Sequence, residues 1–230
     1  MAEERARIQE EYRRRDADAA IRLRYHPDAP EERGARERLR MELRDAFAAA
    51  GLLPLSGRTI LEVGCGRGAI LEDLAILGAR PDRMRGVDIS AERLSHVPEP
   101  LRSSVILADA SALPFADRSF DIVGQFTTFS SMLDGAMRAA AAREMARVVR
   151  PGGAIVWYDM RRTSRRSRTV ALGGEDVRAL FPRFSLDVRT VTLAPPLARR
   201  IGPRLAALSR ALEAIPPLRT HLLVVLREAR

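Results

Sequence analysis

The sequence predicts an α/β fold, a doubly wound and mostly parallel sheet with helices on both faces and an N-terminal helical extension. From Arg58 onward, short apolar runs of β-type residues alternate with helical stretches, which is typical of right-handed βαβ units. A glycine-rich turn follows the first of these runs. The 230 residues are 46% hydrophobic, enough for one compact domain with a substantial core.

The predicted elements follow one another in a regular order. The first 50 residues have helical patterns on both sides of a break at Pro27 and Pro30. We therefore assign residues 1–54 to a helical segment and residues 55–230 to the sheet domain, together forming one compact unit. The seven predicted strands are TILEV, MRGVDI, SVILAD, FDIVGQF, GAIVWYDM, SLDVRTVTL and HLLVVLRE. A helix at about 197–214 is expected to cover the sheet edge or to form a dimer contact, so a monomer and a homodimer both stay open.

The composition argues against several classes of protein. No apolar run approaches the roughly 20 residues needed to span a bilayer, and the start of the chain is charged where a signal peptide is apolar. A cytoplasmic protein without a membrane partner is therefore expected. Cys65 is the single cysteine and there are three histidines, so neither a disulfide framework nor a Cys/His metal cluster is expected.

The net charge of +9 is unevenly distributed. Residues 1–150 contain 24 Arg and 24 acidic residues, whereas residues 151–230 contain 15 Arg and 6 acidic residues. Five of these Arg lie within Arg161–Arg168, either as a solvated loop or as a loop that binds an anionic group of a substrate, for which guanidinium is well suited. Nucleic acid is a less favoured partner, because three Tyr and one Trp leave few side chains to stack on bases.

The segment ILEVGCGRG joins the first predicted strand to a helix through a turn of three glycines. Such a turn lies at the carboxyl edge of a parallel sheet, where ligands bind, and glycine permits a close backbone approach. The spacing is G-x-G-x-G, with Glu62 two residues before the first glycine, and differs from the G-x-G-x-x-G of dinucleotide-binding folds. Asp88 ends the second strand, where a carboxylate can bind both hydroxyls of a ribose, as it also does in an NAD-dependent dehydrogenase.

Two further segments follow in order, DASALPFADRSFD from Asp109 and VVRPGG from Val148. Together with EVGCGRG and GVDIS, they resemble the class I S-adenosylmethionine-dependent methyltransferases, particularly the small type 11 kind, over about residues 58–159. The resemblance implies a Rossmann-like seven-stranded sheet with an antiparallel last strand, and residues 1–54 as a lid. It also implies an enzyme that uses S-adenosylmethionine as cofactor, releases S-adenosylhomocysteine and needs no metal.

The resemblance implies roles for individual residues around the cofactor. Glu62 and the three glycines surround its methionine part, Asp88 holds the ribose, and Asp109 with the Ala110 N–H recognises the adenine edge. Ile89 is expected to pack on the adenine face, and Cys65 to fill space in the loop rather than to act as a catalytic thiol. The full set of expected cofactor residues is Glu62, Gly64, Cys65, Gly66, Gly68, Asp88, Ile89, Asp109, Ala110 and Gln125.

The methyl acceptor is expected at the carboxyl ends of the fourth and fifth strands. The fourth strand lacks the Asn/Asp-Pro-Pro-Tyr sequence of enzymes that methylate amide or exocyclic amino nitrogens, which favours an oxygen of a metabolite, natural product or glycan. A tRNA or rRNA acceptor and a regulatory subunit without catalysis are the alternatives. An oxygen acceptor needs a general base. The candidate bases are Asp159, His26 and Tyr158, and the candidate acceptor-binding residues are Phe126, Phe129, Arg161 and Arg162.

Overall fold

A computed structural model describes residues 1–24, 29–163, 168–194, 197, 201 and 211–229. Most of the helix predicted at about 197–214 therefore lies outside the described residues. The helices are α1 (Ala2–Ala17), α2 (Ala19–Arg24), α3 (Pro30–Ala49), α4 (Ala69–Ile76), α5 (Ala91–Leu94), α6 (Glu99–Arg102), α7 (Gly135–Val148) and α8 (Gly174–Leu180). The strands are β1 (Ile60–Val63), β2 (Met84–Asp88), β3 (Val105–Leu107), β4 (Phe120–Phe126), β5 (Val149–Met160), β6 (Phe184–Leu193) and β7 (Arg219–Glu228).

The seven strands form one sheet in the order β3-β2-β1-β4-β5-β7-β6. Neighbours among β1 to β5 pair in parallel, whereas β7 pairs antiparallel with both β5 and β6. The predicted fold class is therefore confirmed, including the antiparallel last strand. The strand order reverses between β1 and β4, and ligands bind at the carboxyl ends of the strands beside such a reversal.

One face of the sheet packs against α7 and α8. Trp157 of β5 is fully buried there, with its ring 4.6 Å from that of Phe129 and 6.2 Å from that of Phe181. Helix α7 begins where the Asp134 side chain accepts hydrogen bonds from the N–H groups of Ala136 and Met137. This cap fixes the helix start next to the carboxyl end of β4.

The opposite face of the sheet packs against α3 and α4. Phe47 of α3 and Leu74 of α4 are buried in the same apolar cluster as Ile122 of β4. The two helices are also joined through Asp73, whose fully buried carboxylate lies 3.0 Å from the guanidinium groups of Arg36 and Arg40. A buried carboxylate needs such partners, because an unpaired charge in the interior is costly.

Helix α1 lies across the carboxyl edge of the sheet. Its Ile8 is only 5% exposed and packs in the cluster that also contains Leu61 and Val87. Its N-terminal half is anchored by Glu4, which accepts hydrogen bonds from the N–H groups of Leu133 and Asp134. The placement of α1 makes it part of the candidate site.

None of the helices in the described ranges combines the length and the apolar character that crossing a membrane requires.

Candidate active site

The turn between β1 and α4 has the backbone conformation that its glycines predict. Gly64, Gly66 and Gly68 have φ values of 79°, 54° and 81°, a region that L side chains rarely adopt. A Cβ on Gly64 would lie 2.2 Å from the Thr128 Oγ1 atom. That hydroxyl donates a hydrogen bond to the Val63 carbonyl at 3.0 Å, so the turn and the segment after β4 are in direct contact. Gly64 is therefore required both for its φ and for this close approach.

Asp88 is held rigidly at the end of β2. Its carboxylate accepts hydrogen bonds from the Gly66 N–H at 2.8 Å and from the Ser90 N–H at 2.9 Å, one on each oxygen. Burial raises the pKa of this carboxyl group, and the two N–H donors oppose that rise. Each oxygen keeps a second lone pair, so the arrangement fits a ligand that offers two neighbouring hydroxyls, as a ribose does.

Glu62 lies on β1 beneath the glycine turn and is 2% exposed. Its Oε2 atom is buried and has no hydrogen-bond partner among the described residues. Burial, together with the charges of Asp88 and Asp73, raises the pKa of Glu62 to about 8. An unpartnered buried carboxyl oxygen is costly and fits a site that receives a cationic or amino group from a ligand.

Asp109 follows β3, and both of its carboxylate oxygens are engaged. Oδ1 accepts hydrogen bonds from the Ser111 N–H at 2.8 Å and the Ser111 hydroxyl at 2.7 Å. Oδ2 lies 3.2 Å from an Nη atom of Arg5 on α1. The carboxylate expected at the adenine edge therefore already has a cation from the N-terminal helix beside it.

The glycine turn, Asp88 and Asp109 line one cavity of about 30 Å³, which Glu62 does not line. Sites for small molecules usually enclose ~300–1,000 Å³, so this cavity is smaller than a nucleoside-sized ligand needs. The cavity brings together the predicted residues Gly64, Asp88, Ile89, Asp109 and Ala110. Its other lining residues are Ile8, Tyr12, Val87, Ala108, Thr128, Ser131, Met132 and Met137.

The most important residues that sequence reasoning missed are Ile8 and Tyr12. They are four residues apart, so they share one face of α1, and both line the cavity. The signal for them was available, since they are a pair of apolar side chains at helical spacing in a segment dominated by charged residues. The spacing does not predict which surface of the protein Ile8 and Tyr12 pack against.

Asp159, the first candidate base, is fully buried at the end of β5. Its oxygens accept hydrogen bonds from the Ser130 N–H at 3.1 Å and the Met160 N–H at 2.8 Å. Burial is the main cause that raises its pKa to about 6. The side chain thus holds the short helical turn Phe129–Ser131 after β4 and does not line the cavity.

Tyr158, the second candidate base, does not line the cavity. Tyr158 points to the opposite face of the sheet, where its hydroxyl hydrogen-bonds to Thr192 at 2.8 Å and its ring stacks on His221 at 4.9 Å. Burial raises the pKa of this phenol, which keeps it protonated. His26 lies outside the described residues. A catalytic role for any of the three stays a prediction.

Gln125, Phe126 and Phe129 all lie in the interior near the end of β4. The Gln125 side chain accepts a hydrogen bond from the Thr128 N–H at 3.0 Å and so orders the segment that follows the strand. Phe126 packs on the α3 side of the sheet, whereas Phe129 packs on the α7 side. Cys65 is likewise a buried free thiol in the apolar cluster on the α3 side, and burial raises its pKa.

The described part of the basic segment contacts two other elements. An Nη atom of Arg162 donates a hydrogen bond to the Pro217 carbonyl at 2.9 Å. Arg168 lies 3.4 Å from the carboxylate of Glu11 on α1. Residues 164–167 lie outside the described residues. In the described part of the chain, no cluster of three or more His, Cys, Asp or Glu is arranged to hold a metal.

The architecture is shared with known methyltransferases. The solved structure of the N-methyltransferase NodS from Bradyrhizobium japonicum WM9, in complex with S-adenosyl-L-homocysteine, is similar with a TM-score of 0.67 and 18% identity, over 97% of this chain and 99% of that one. The fold is therefore that of class I S-adenosylmethionine-dependent methyltransferases. Residues 61–157 also match the family model described as a methyltransferase domain, which confirms the resemblance noted in the sequence.

Curated relatives are similar over part of their length. Methyltransferase GfsG from Streptomyces halstedii is 37% identical over 113 residues, which cover 46% of this chain and 38% of that protein. A ubiquinone biosynthesis O-methyltransferase from Aromatoleum aromaticum is 33% identical over 135 residues, which cover 56% of this chain and 55% of that protein. The aligned part is therefore about half the length of these relatives or less.

Proposed function

We propose that the chain is an S-adenosylmethionine-dependent methyltransferase that acts on a small molecule, with oxygen as the methylated atom. The observation that carries the proposal is the cavity at the strand-order reversal, which is lined by Gly64 of the glycine turn and by the fixed Asp88 carboxylate. The names of the relatives support the acceptor class, since one is a ubiquinone biosynthesis O-methyltransferase.

The residues in and around the cavity would each bind one part of the cofactor. Asp88 would bind the two ribose hydroxyls with the lone pairs that its N–H donors leave free. The buried carboxyl group of Glu62 would accept a hydrogen bond from the methionine part, and Ile89 with Ala110 would flank the adenine. When bound, S-adenosylmethionine supplies a methyl group that its sulfonium already activates. The chain then has to align the acceptor and exclude water.

The segment after β4 would align the acceptor with the methyl group. Thr128 and Ser131 line the cavity, and the backbone between them is held by Gln125 and Asp159 through hydrogen bonds to the Thr128 and Ser130 N–H groups. In this arrangement Asp159 contributes to the reaction by ordering the segment. Transfer to a hydroxyl oxygen also requires a group that takes up its proton, and the three candidate bases for this step stay a prediction.

The proposal is tested by incubating the protein with methyl-labelled S-adenosylmethionine and fractionated small-molecule extracts. We expect label in a small-molecule fraction and an equal yield of S-adenosylhomocysteine. Label in RNA would favour the alternative acceptor class. Binding of S-adenosylhomocysteine without transfer to any fraction would favour a regulatory subunit, and absence of binding would overturn the proposal altogether.

A further inference from the structure

Tyr12 occupies a central position in the cavity although it belongs to the N-terminal helix. Its partly buried side chain lines the same space as Gly64, Asp88 and Ser131, which lie at or just beyond the carboxyl ends of β1, β2 and β4. In the described part of the chain, no other tyrosine lines this cavity. A ligand that contacts Asp88 and the glycine turn would therefore meet the Tyr12 ring from α1.

The ring of Tyr12 is in contact with the guanidinium group of Arg93 on α5. The Arg93 Cζ atom lies 3.8 Å from the ring centroid, within cation–π distance. Arg93 is also held by Asp16 through two hydrogen bonds, from Nε at 3.1 Å and from Nη2 at 3.2 Å. Tyr12 and Asp16 are one helical turn apart on α1, so the guanidinium lies between a ring and a carboxylate of the same helix.

The contacts of Arg93 with Tyr12 and Asp16 connect α1 to the segments that follow β1 and β2. Arg93 is on α5, directly after β2, and a Cβ on Gly66 would lie 4.0 Å from its Nη1 atom. Asp16 also lies 3.5 Å from the Arg67 guanidinium, within the glycine turn itself. The position of Tyr12 is therefore coupled to the glycine turn and to the helix that follows Asp88.

The Tyr12 hydroxyl is not suited to act as a general base. Burial and the negative charge of Asp88 raise the pKa of this phenol above its ordinary value of 10.0, despite opposing contributions from Arg93 and Ser131. The phenol is therefore neutral at physiological pH. A neutral aromatic side chain at this place can cover a ligand and exclude water, but it cannot remove a proton from an acceptor.

We propose that Tyr12 is a cofactor-binding residue contributed by the N-terminal helix, and that Arg93 is the positioning residue that holds its ring over the cofactor. The inference rests on the proposed function, because it takes S-adenosylmethionine as the ligand of the cavity. Its alternative is that Tyr12 only packs α1 onto the domain. That alternative predicts an effect of Tyr12 substitutions on stability but none on ligand binding.

The experiment compares S-adenosylhomocysteine binding by calorimetry in the full chain and in Tyr12→Ala, Tyr12→Phe and Arg93→Gln. We expect Tyr12→Ala to weaken binding at least tenfold, and Tyr12→Phe to stay within threefold because it keeps the ring. Arg93→Gln should weaken binding by an intermediate factor, and the Tyr12→Ala/Arg93→Gln double variant should be no weaker than Tyr12→Ala alone. Such non-additivity is the signature of a residue that acts through another.

The matched control is Arg13→Ala, because Arg13 pairs with Glu10 on the exposed side of α1, where both side chains are about two-thirds exposed. Thermal unfolding without ligand reports whether each variant is folded, and the weakening expected in Arg93→Gln keeps the test valid if Tyr12→Ala is not folded. Unchanged affinity in Tyr12→Ala, or equal weakening in Arg13→Ala, overturns the inference while the proposed function stands. No binding by the wild-type chain overturns the proposed function, and this inference with it.

Discussion

Arg5 of the N-terminal helix lies 3.2 Å from Asp109, the carboxylate expected to recognise adenine. The other oxygen of Asp109 is engaged by Ser111. The Arg5 Nε atom is buried without a hydrogen-bond partner among the described residues, so the contact is incomplete and a ligand amino group can replace it. Under the proposed function, Arg5 would compete with the adenine amino group for Asp109.

Removal of this competitor should strengthen cofactor binding. A partly exposed ion pair contributes ~0.2–1 kcal/mol, so Arg5→Ala should bind S-adenosylhomocysteine about 1.4- to fivefold more tightly. Raising the salt concentration should tighten binding by the wild-type chain and leave the variant less affected. Arg13→Ala is again the control, and weaker binding by Arg5→Ala would show that Arg5 supports the cofactor instead of competing with it.

A substitution at Gly64 tests the close approach of the glycine turn to the segment after β4. Gly64→Ala would combine a φ of 79° with a Cβ placed 2.2 Å from Thr128. Gly78→Ala is the matched control, because Gly78 has a φ of 98° but no atom of the described residues lies within 4 Å of where its Cβ would be. We expect Gly64→Ala to lower the free energy of unfolding by about 2 kcal/mol more than the control. Denaturant unfolding measures both, and equal losses would contradict the steric argument.

Glu62 should make the stability of the ligand-free protein depend on pH. Its pKa is about 8 in the folded chain against an ordinary value of 4.5. The stabilisation by its neutral form is full below pH 4.5 and is lost as the pH rises to about 8. Between these values the wild type should lose up to ~1.4 kcal/mol per pH unit relative to Glu62→Gln.

This dependence is measured as the difference in melting temperature between wild type and Glu62→Gln across the same pH range. Glu175→Gln changes a carboxyl group that is 90% exposed and serves as the control. Parallel melting curves for wild type and Glu62→Gln at all pH values would exclude a raised pKa at Glu62.

Substitutions in the basic segment after β5 test whether the acceptor carries an anionic group. If it binds an anionic group, Arg161→Glu/Arg162→Glu should raise the KM of the acceptor and leave the affinity for S-adenosylhomocysteine unchanged. Arg178→Glu on α8, where Arg178 is 59% exposed beside Glu175, is the control for the reversal of an exposed charge elsewhere. Equal acceptor kinetics in all variants would assign the segment to solvent.

The sequence predicted the fold well because strand periodicity and glycine turns are local signals. The seven predicted strands match β1 to β7. Gly64, Asp88, Ile89, Asp109 and Ala110 line one cavity, whereas the other predicted cofactor residues, Glu62, Cys65, Gly66, Gly68 and Gln125, do not line it. The contacts of α1 were not predictable in the same way. Tyr12 and Asp88 are separated by 76 positions in the sequence, and no local pattern specifies which surface a helix covers.

The candidate bases show a second limit of local patterns. Alternation along β5 already places Tyr158 and Asp159 on opposite faces of the sheet. It does not reveal that the Ser130 N–H covers the Asp159 carboxylate at 3.1 Å, because that contact depends on the path of a loop from another strand. Side chains at strand ends can thus be assigned to an edge, whereas their hydrogen-bond partners need the tertiary structure.

The most direct test of the account is a calorimetric titration of S-adenosylhomocysteine into the wild-type chain and into Asp88→Asn. The asparagine keeps an acceptor for the Ser90 or Gly66 N–H group but loses the charge proposed to bind the ribose hydroxyls. We expect the wild type to bind S-adenosylhomocysteine and Asp88→Asn to bind it at least tenfold more weakly, a loss of about 1.4 kcal/mol. Equal affinities, or no binding by the wild type, would contradict this expectation.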